Sequence, residues 1–345
     1  MRPTRFMIGA LLAGTLTASS AFAAHENDVS PMRSAPMSKD RLYDALLDAL
    51  TATFGHHPGF RATHAKGVLL SGTFMASPPA PVLSRAAHLQ GQPVPVLLRF
   101  SNFSGVPATE DGDPMASPHG LAIRFALPDG ESTDIVTHSF DGFPVATPED
   151  FLSFLQGIAA NVATPPDPLP LQTFLASHPR AEHFLQTPKP APSSYAGIEY
   201  FGINALVFTN RQGEAHIGRY RIEPLRAEPV LSEQQAAAMP ADYLQDEISA
   251  RLGRGAVKLR LVVQLAAPGD AIEDGSIPWS RSHDEVELGI LTLDALVPAG
   301  EQQSAQQRLD FNPGRLIDGI APSDDPMILA RERIYQRALL RRQQP

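Results

Sequence analysis

Arg331-Glu332-Arg333-Ile334-Tyr335 sets a guanidinium and a phenol four residues apart, inside a stretch that reads as helix. Residues i and i+4 share a helix face, so the two groups are neighbours. A free phenol has a pKa of ~10, and keeping it ionised at neutral pH must offset about 4 kcal/mol. An adjacent cation acts in that direction, and so does a bound metal. The pair suits a tyrosinate that ligates ferric iron, with Tyr335 as the ligand and Arg331 as the group that keeps it ionised. The same spacing occurs in ordinary amphipathic surface helices, so its meaning depends on the other residues of the chain.

Three further groups have the right chemistry. His64 lies in Arg61-Ala62-Thr63-His64-Ala65-Lys66-Gly67, just ahead of a strand candidate. An imidazole that titrates near neutrality can take a proton from one atom and return it to another. Arg61 in this segment and Arg99 in Leu98-Arg99-Phe100-Ser101-Asn102-Phe103-Ser104-Gly105 can bind carboxylates through paired, charge-assisted hydrogen bonds. Ser101 follows Arg99 by two, which puts both on one face of a strand.

The elements that must position these residues are legible in outline. Ser38 caps a helix expected to run to about Phe54 on the stripe Leu42, Leu46, Leu47, Leu50 and Phe54, with Gly55 ending it. Strands are expected near 66–75, 94–101, 120–127, 132–138, 201–209, 215–223, 256–266 and 284–293. Asn210-Arg211-Gln212-Gly213 reads as a hairpin link. Thr147-Pro148-Glu149-Asp150 and Ser323-Asp324-Asp325-Pro326 are helix starts, the second opening the helix that carries Arg331 and Tyr335. Other helices are expected near 170–177 and 232–250. Many short strands with helices between and after them point to an α+β fold built on an antiparallel sheet or barrel.

Composition narrows the chemistry further. The chain has 345 residues, no cysteine and a net charge of −9. Without thiols there are no disulfides, no thiolate-ligated haem, no CxxCH attachment and no iron–sulfur cluster, so any haem is expected to be held non-covalently. The acidic balance argues against nucleic acid as a partner. Residues 1–23 read as a signal peptide, with Arg2 and Arg5, an apolar run from Phe6 to Ala18, and Ala21-Phe22-Ala23 as cleavage site. We expect a flexible arm over 24–37, a core over 38–345, and a soluble protein exported to the periplasm with no membrane association once the signal is removed.

Taken together, the ordered blocks around His64, Arg99–Gly105, His119-Gly120-Leu121-Ala122-Ile123-Arg124-Phe125, Asp134-Ile135-Val136, and Phe311-Asn312-Pro313 through Tyr335 resemble haem catalases. Phe201-Gly202-Ile203-Asn204-Ala205 and the segment from Trp279 to Gly289 fit the same pattern. More closely, the chain resembles the short exported branch called catalase-related peroxidases. The resemblance implies a catalase-like eight-stranded antiparallel β-barrel with flanking helices, here without the C-terminal helical domain of large catalases, around non-covalent haem b. It implies His64 as distal acid–base, Ser101 orienting it, Tyr335 as iron ligand, Arg331 beside it, and Arg61 and Arg99 on the haem propionates. Large catalases carry a distal asparagine soon after the segment matched by Asp134-Ile135-Val136. Thr137-His138-Ser139-Phe140 stands there instead, and Ser139 is the residue expected in that place, with His138 adjacent. The expected activity is reduction of organic and hydrogen peroxides by an electron donor, in a monomer or small homo-oligomer. The alternatives are hydrogen peroxide dismutation and a non-enzymatic exported haem-binding protein.

Overall fold

Alternating apolar residues along 94–101 and its neighbours form one sheet that closes on itself. The computed structural model describes residues 37–162 and 169–344. The signal expectation and nearly all of the N-terminal arm lie outside them. Residues Ser38–Pro345 form one compact unit. Its strands are β1 (Gly67–Ala76), β2 (Val94–Ser101), β3 (Gly120–Ala126), β4 (Ser132–His138), β5 (Tyr200–Phe201), β6 (Leu206–Thr209), β7 (Ala215–Pro224), β8 (Val257–Leu265), β9 (Glu285–Leu296) and β10 (Ile320–Pro322). Antiparallel pairing runs β7-β5-β4-β3-β2-β1-β9-β8, and β8 returns to β7, so eight strands close an antiparallel barrel. Closure removes the exposed edges that an open sheet would present. β6 pairs with the start of β7 on the edge that β5 takes further along, and β10 pairs with β6.

The two faces of the barrel wall do different work. Val96, Leu98 and Phe100 of β2, Leu121, Ile123 and Phe125 of β3, and Ile135 of β4 join the main hydrophobic core. The alternate residues, among them Arg99, Ser101, Gly120, Arg124, Asp134 and His138, point to the opposite face.

The helices are α1 (Lys39–Phe54), α2 (Ala80–Leu83), α3 (Pro148–Val162), α4 (Pro170–Ser177), α5 (Pro179–Gln186), α6 (Glu233–Ala238), α7 (Tyr243–Arg254), α8 (Ala299–Arg308) and α9 (Pro326–Arg342). The apolar stripe of α1 packs with Leu152 and Leu155 of α3 and Ala330 of α9 in a second core, against which Ala62 and Phe103 also rest. Arg337 and Arg341 of α9 pair with Asp44 and Asp48 of α1 at 2.7 and 2.6 Å. Much of the basic run at the end of the sequence is thus spent on a neighbouring helix. No helix of the described residues is long and apolar enough to cross a membrane.

Several elements differ from expectation. The strand expected over 201–209 breaks in two because Gly202–Ala205 leaves the sheet. The helix expected over 232–250 splits around Pro240, whose ring and missing N–H do not continue a helix. α5, α8 and β10 were not expected at all. α8 (Ala-Gly-Glu-Gln-Gln-Ser-Ala-Gln-Gln-Arg) has no apolar stripe to announce it. Its amides dock it instead: Gln302 Nε2 donates to the carbonyls of Leu69 (2.8 Å) and Val297 (2.9 Å), and Gln302 Oε1 accepts from the Leu69 N–H (3.0 Å).

Candidate active site

Strand register builds one wall of the site. Ser101 of β2 lies opposite Gly67 on β1 and Gly120 on β3, and Gly120 lies opposite His138 on β4. Directly opposed residues point to the same face, so Ser101 and His138 project side by side with a glycine between them. The His64 ring fills the gap that the glycine leaves. A Cβ on Gly120 would stand 2.6 Å from Ser101 Oγ and 2.8 Å from His64 Nδ1. Ser101 Oγ and His64 Nδ1 are 3.1 Å apart.

The backbone of His64 is strained to reach this position. Its φ is +56°, a region that a side chain other than glycine rarely adopts. Two sets of hydrogen bonds hold it there. The His64 N–H donates to the Phe103 carbonyl at 2.7 Å, and Arg99 Nη2 donates to the carbonyls of His64 (2.9 Å) and Ala65 (3.2 Å). Arg99 Nε donates to Gln306 Oε1 of α8 at 2.7 Å. Gly67 makes room for Arg99, since a Cβ there would lie 2.5 Å from Arg99 Nη2. Behind the wall, buried Asn102 Oδ1 accepts from Tyr195 (2.7 Å) and from His119 Nδ1–H (3.2 Å), which ties β2 to the start of β3.

Helix α9 supplies the phenol. Arg331 Nη2 donates to Tyr335 Oη at 3.0 Å, one helical turn away. Arg331 Nη1 donates to Asn204 Oδ1 at 2.5 Å, and Asn204 Nδ2 donates to Asp325 Oδ2 at 2.7 Å. Asp325 is fully buried, and its other oxygen caps α9 by accepting from the Met327 N–H at 2.8 Å. A guanidinium has no acceptor, so Arg331 presents only N–H groups to the phenol oxygen.

Three guanidiniums crowd nearby with no salt-bridge partner among the described residues; Asp310, whose charge reaches Arg61 and Arg342, is paired with Arg124 and Arg315. Arg61 Nη2 and Arg342 Nη2 both donate to the Leu309 carbonyl, at 2.6 and 2.8 Å. Among the described residues, Arg61, Arg99 and Arg342 bond only to neutral oxygens. Burial pushes Arg99 down to about 9 and Arg342 to about 10. Burial, then the charges of Arg99 and Arg342, push Arg61 well below the ordinary arginine range. Guanidiniums nevertheless stay protonated in proteins, so this is a desolvated cluster of like charge, stable only with anions to match.

Arg61, His64 and His138 are partly exposed by area. Each is nonetheless strongly desolvated. Burial is the main reason the His64 pKa falls to about 3, with Arg99, His138, His119 and Arg61 adding to it. The ring is therefore neutral at pH 7. Haem, the group expected from the sequence, fits this donor set. Its two propionates answer the three unpaired guanidiniums, and its iron matches a phenol oxygen backed by a pure donor.

The site therefore gathers Arg61, His64, Arg99 and Ser101 around one wall and sets Arg331 beside Tyr335 on α9. Ser139 is placed differently from expectation. Its Oγ accepts from the His119 N–H at 2.9 Å, and its own N–H donates to the His119 carbonyl at 2.8 Å. His138 takes the place beside Ser101, because it is His138 that β4 sets opposite Gly120. The sequence assigns no site role to Arg342 or Asn204, reads Asp325 only as part of a helix start, and names His138 only as the neighbour of Ser139. Arg342 carries a positional signal, since it lies seven residues after Tyr335 and so two turns along the same face.

The catalase family model matches residues 27–345. The catalase-related peroxidase of Mycolicibacterium paratuberculosis is 39% identical over 295 residues, covering 85% of this chain and 92% of that protein. The catalase-related peroxidase of Synechococcus elongatus is 32% identical over 296 residues, covering 85% and 86%. Among solved structures, a fungal catalase matches with a TM-score of 0.73 at 20% identity, over 87% of this chain and 63% of that one. At that identity the likeness speaks for the fold alone, and this chain spans just under two thirds of the larger protein.

Proposed function

The chain belongs to the catalase family, and from that premise we propose that it is a haem peroxidase, holding haem b non-covalently and reducing organic and hydrogen peroxides with an electron donor. The reading is carried by one convergence: an Arg331-backed phenol, a neutral imidazole set by Ser101, and three guanidiniums with no salt-bridge partner among the described residues. Two catalase-related peroxidases among the relatives, at 39% and 32% identity, support it.

In this reading Tyr335 Oη would ligate the iron, and Arg61, Arg99 and Arg342 would hold the propionates. Bound haem supplies a Lewis-acidic iron and the redox equivalents. The protein's part is to position groups and move protons. His64, neutral because it is buried, takes a proton from one peroxide oxygen and delivers it to the oxygen that leaves. Ser101 fixes the plane of that ring through Nδ1. Arg99 fixes its backbone and so couples the carboxylate cradle to the acid–base group. The reading includes export to the periplasm through the signal at residues 1–23, which cell fractionation tests.

Purification from haem-rich cells tests the cofactor. We expect a coloured protein, haem lost or its spectrum shifted in Tyr335→Phe, and haem kept but most peroxide turnover lost in His64→Ala. A protein that is colourless and cannot be reconstituted refutes the reading. Oxygen evolution from hydrogen peroxide alone, far faster than any donor oxidation, replaces peroxidase by dismutase.

A further inference from the structure

His138 presents an unpaired hydrogen-bond donor in the same row as Ser101. Gly120 separates the two, and the His64 ring packs over that glycine. The Phe140 backbone N–H donates to His138 Nδ1 at 3.3 Å. That bond uses the Nδ1 lone pair, so the neutral ring carries its proton on Nε2. His138 Nε2 is buried and has no partner among the described residues. A buried donor without an acceptor is destabilising, and each such group calls for an explanation. Lys189 cannot supply one, because an ammonium only donates, and its Nζ donates to the carbonyls of Phe184 and Thr187.

The two imidazoles differ in what holds their Nδ1 atoms. The Ser101 hydroxyl beside His64 can donate or accept, so His64 can change protonation at its other nitrogen and still keep that bond. A backbone N–H can only donate. It locks His138 as a donor at Nε2 and keeps it out of proton uptake.

We propose that the Nε2–H of His138 is a second, fixed donor to the peroxide or small anion bound beside His64, orienting it while His64 alone moves the proton. This rests on the haem peroxidase reading above. It assigns the distal donor position to His138, which the register sets in the row of Ser101, and not to the next residue, Ser139, which the alternation of the chain turns to the other face.

Fluoride is the probe. It binds ferric haem and accepts hydrogen bonds, so its affinity counts distal donors without any turnover. The holoproteins to compare are wild type, His138→Leu and His138→Asn, with haem content measured first. We expect His138→Leu to weaken fluoride binding about tenfold, the worth of one hydrogen bond. His138→Asn, whose amide can accept from Phe140 and donate from its nitrogen, should recover most of it. Ser139→Ala should bind fluoride like wild type. If His138→Leu does not fold or load haem, His138→Ala replaces it with the same expectation. Equal affinity in wild type and the apolar variant overturns the inference, as does an asparagine variant no better than the leucine. A wild-type protein that takes up no haem at all overturns the functional reading instead.

Discussion

The Nδ1 of His64 lies 2.8 Å from the point that a Cβ on Gly120 would occupy. The imidazole therefore stands where any other residue at 120 would put its side chain, and the strained His64 backbone is what brings it there.

Gly120→Ala should displace the ring without touching the proposed iron ligand. We expect haem content to be unchanged and peroxide turnover to fall about 100-fold, the usual loss for a catalytic group moved by around 1 Å. Haem stoichiometry alongside steady-state rates checks this. An alanine variant at the wild-type rate would show that His64 does not act from this position.

Asn204→Ala should leave Arg331 Nη1 without its acceptor and Oδ2 of fully buried Asp325 without its Asn204 donor. We expect a loss of about 1–3 kcal/mol of stability. A shift in the haem absorption bands should accompany it, because Arg331 is then free to leave Tyr335. Denaturant melts and spectra report the two effects separately. A destabilised variant with an unchanged spectrum would confine Asn204 to a structural role.

Arg342→Met should act in opposite directions with and without haem. Haem affinity should fall about 10- to 100-fold, the worth of one charge-assisted bond. The haem-free protein should instead gain stability, because three buried like charges become two. Haem transfer to an apo-globin acceptor and melts of the apoprotein measure the pair. Unchanged haem affinity would remove Arg342 from the cradle.

Stability should decline as pH falls from about 6.5 toward 3. His64, His88, His119 and His138 each have a folded-state pKa pushed down to about 3 by burial, against 6.5 for a free ring. Above 6.5 the ring is neutral in both states and nothing is lost. Below it the unfolded chain binds protons that the folded one refuses, so stability drops until pH reaches about 3. Each ring contributes on the order of 5 kcal/mol at most across that window. His88 isolates the effect, being buried against Phe74 and Phe125 with neither ring nitrogen bonded among the described residues. His88→Leu should move the acid-unfolding midpoint to lower pH, and a midpoint that stays put would contradict the assignment.

Much of the barrel was legible because its signals are local. The alternation along 94–101 appears as β2, the capped stripe after Ser38 as α1, and the i,i+4 pair Arg331 and Tyr335 as neighbours on α9. The order of the motif blocks likewise carried the resemblance to the catalase family. What the sequence by itself determined was therefore periodicity, caps and residue type, which depend only on neighbours a few positions away. The tertiary structure decided the rest. Whether His138 or Ser139 stands beside Ser101 turns on a strand register, where a slip of one residue reverses the face. Helix α8 is held by glutamine amides on the Leu69 backbone more than 200 residues earlier, so no stripe betrays it. Asn204 meets Arg331 only because Gly202–Ala205 leaves the sheet, and Arg61 meets Arg342 only through the Leu309 carbonyl. These contacts join residues far apart in the chain, and only packing and register bring them together.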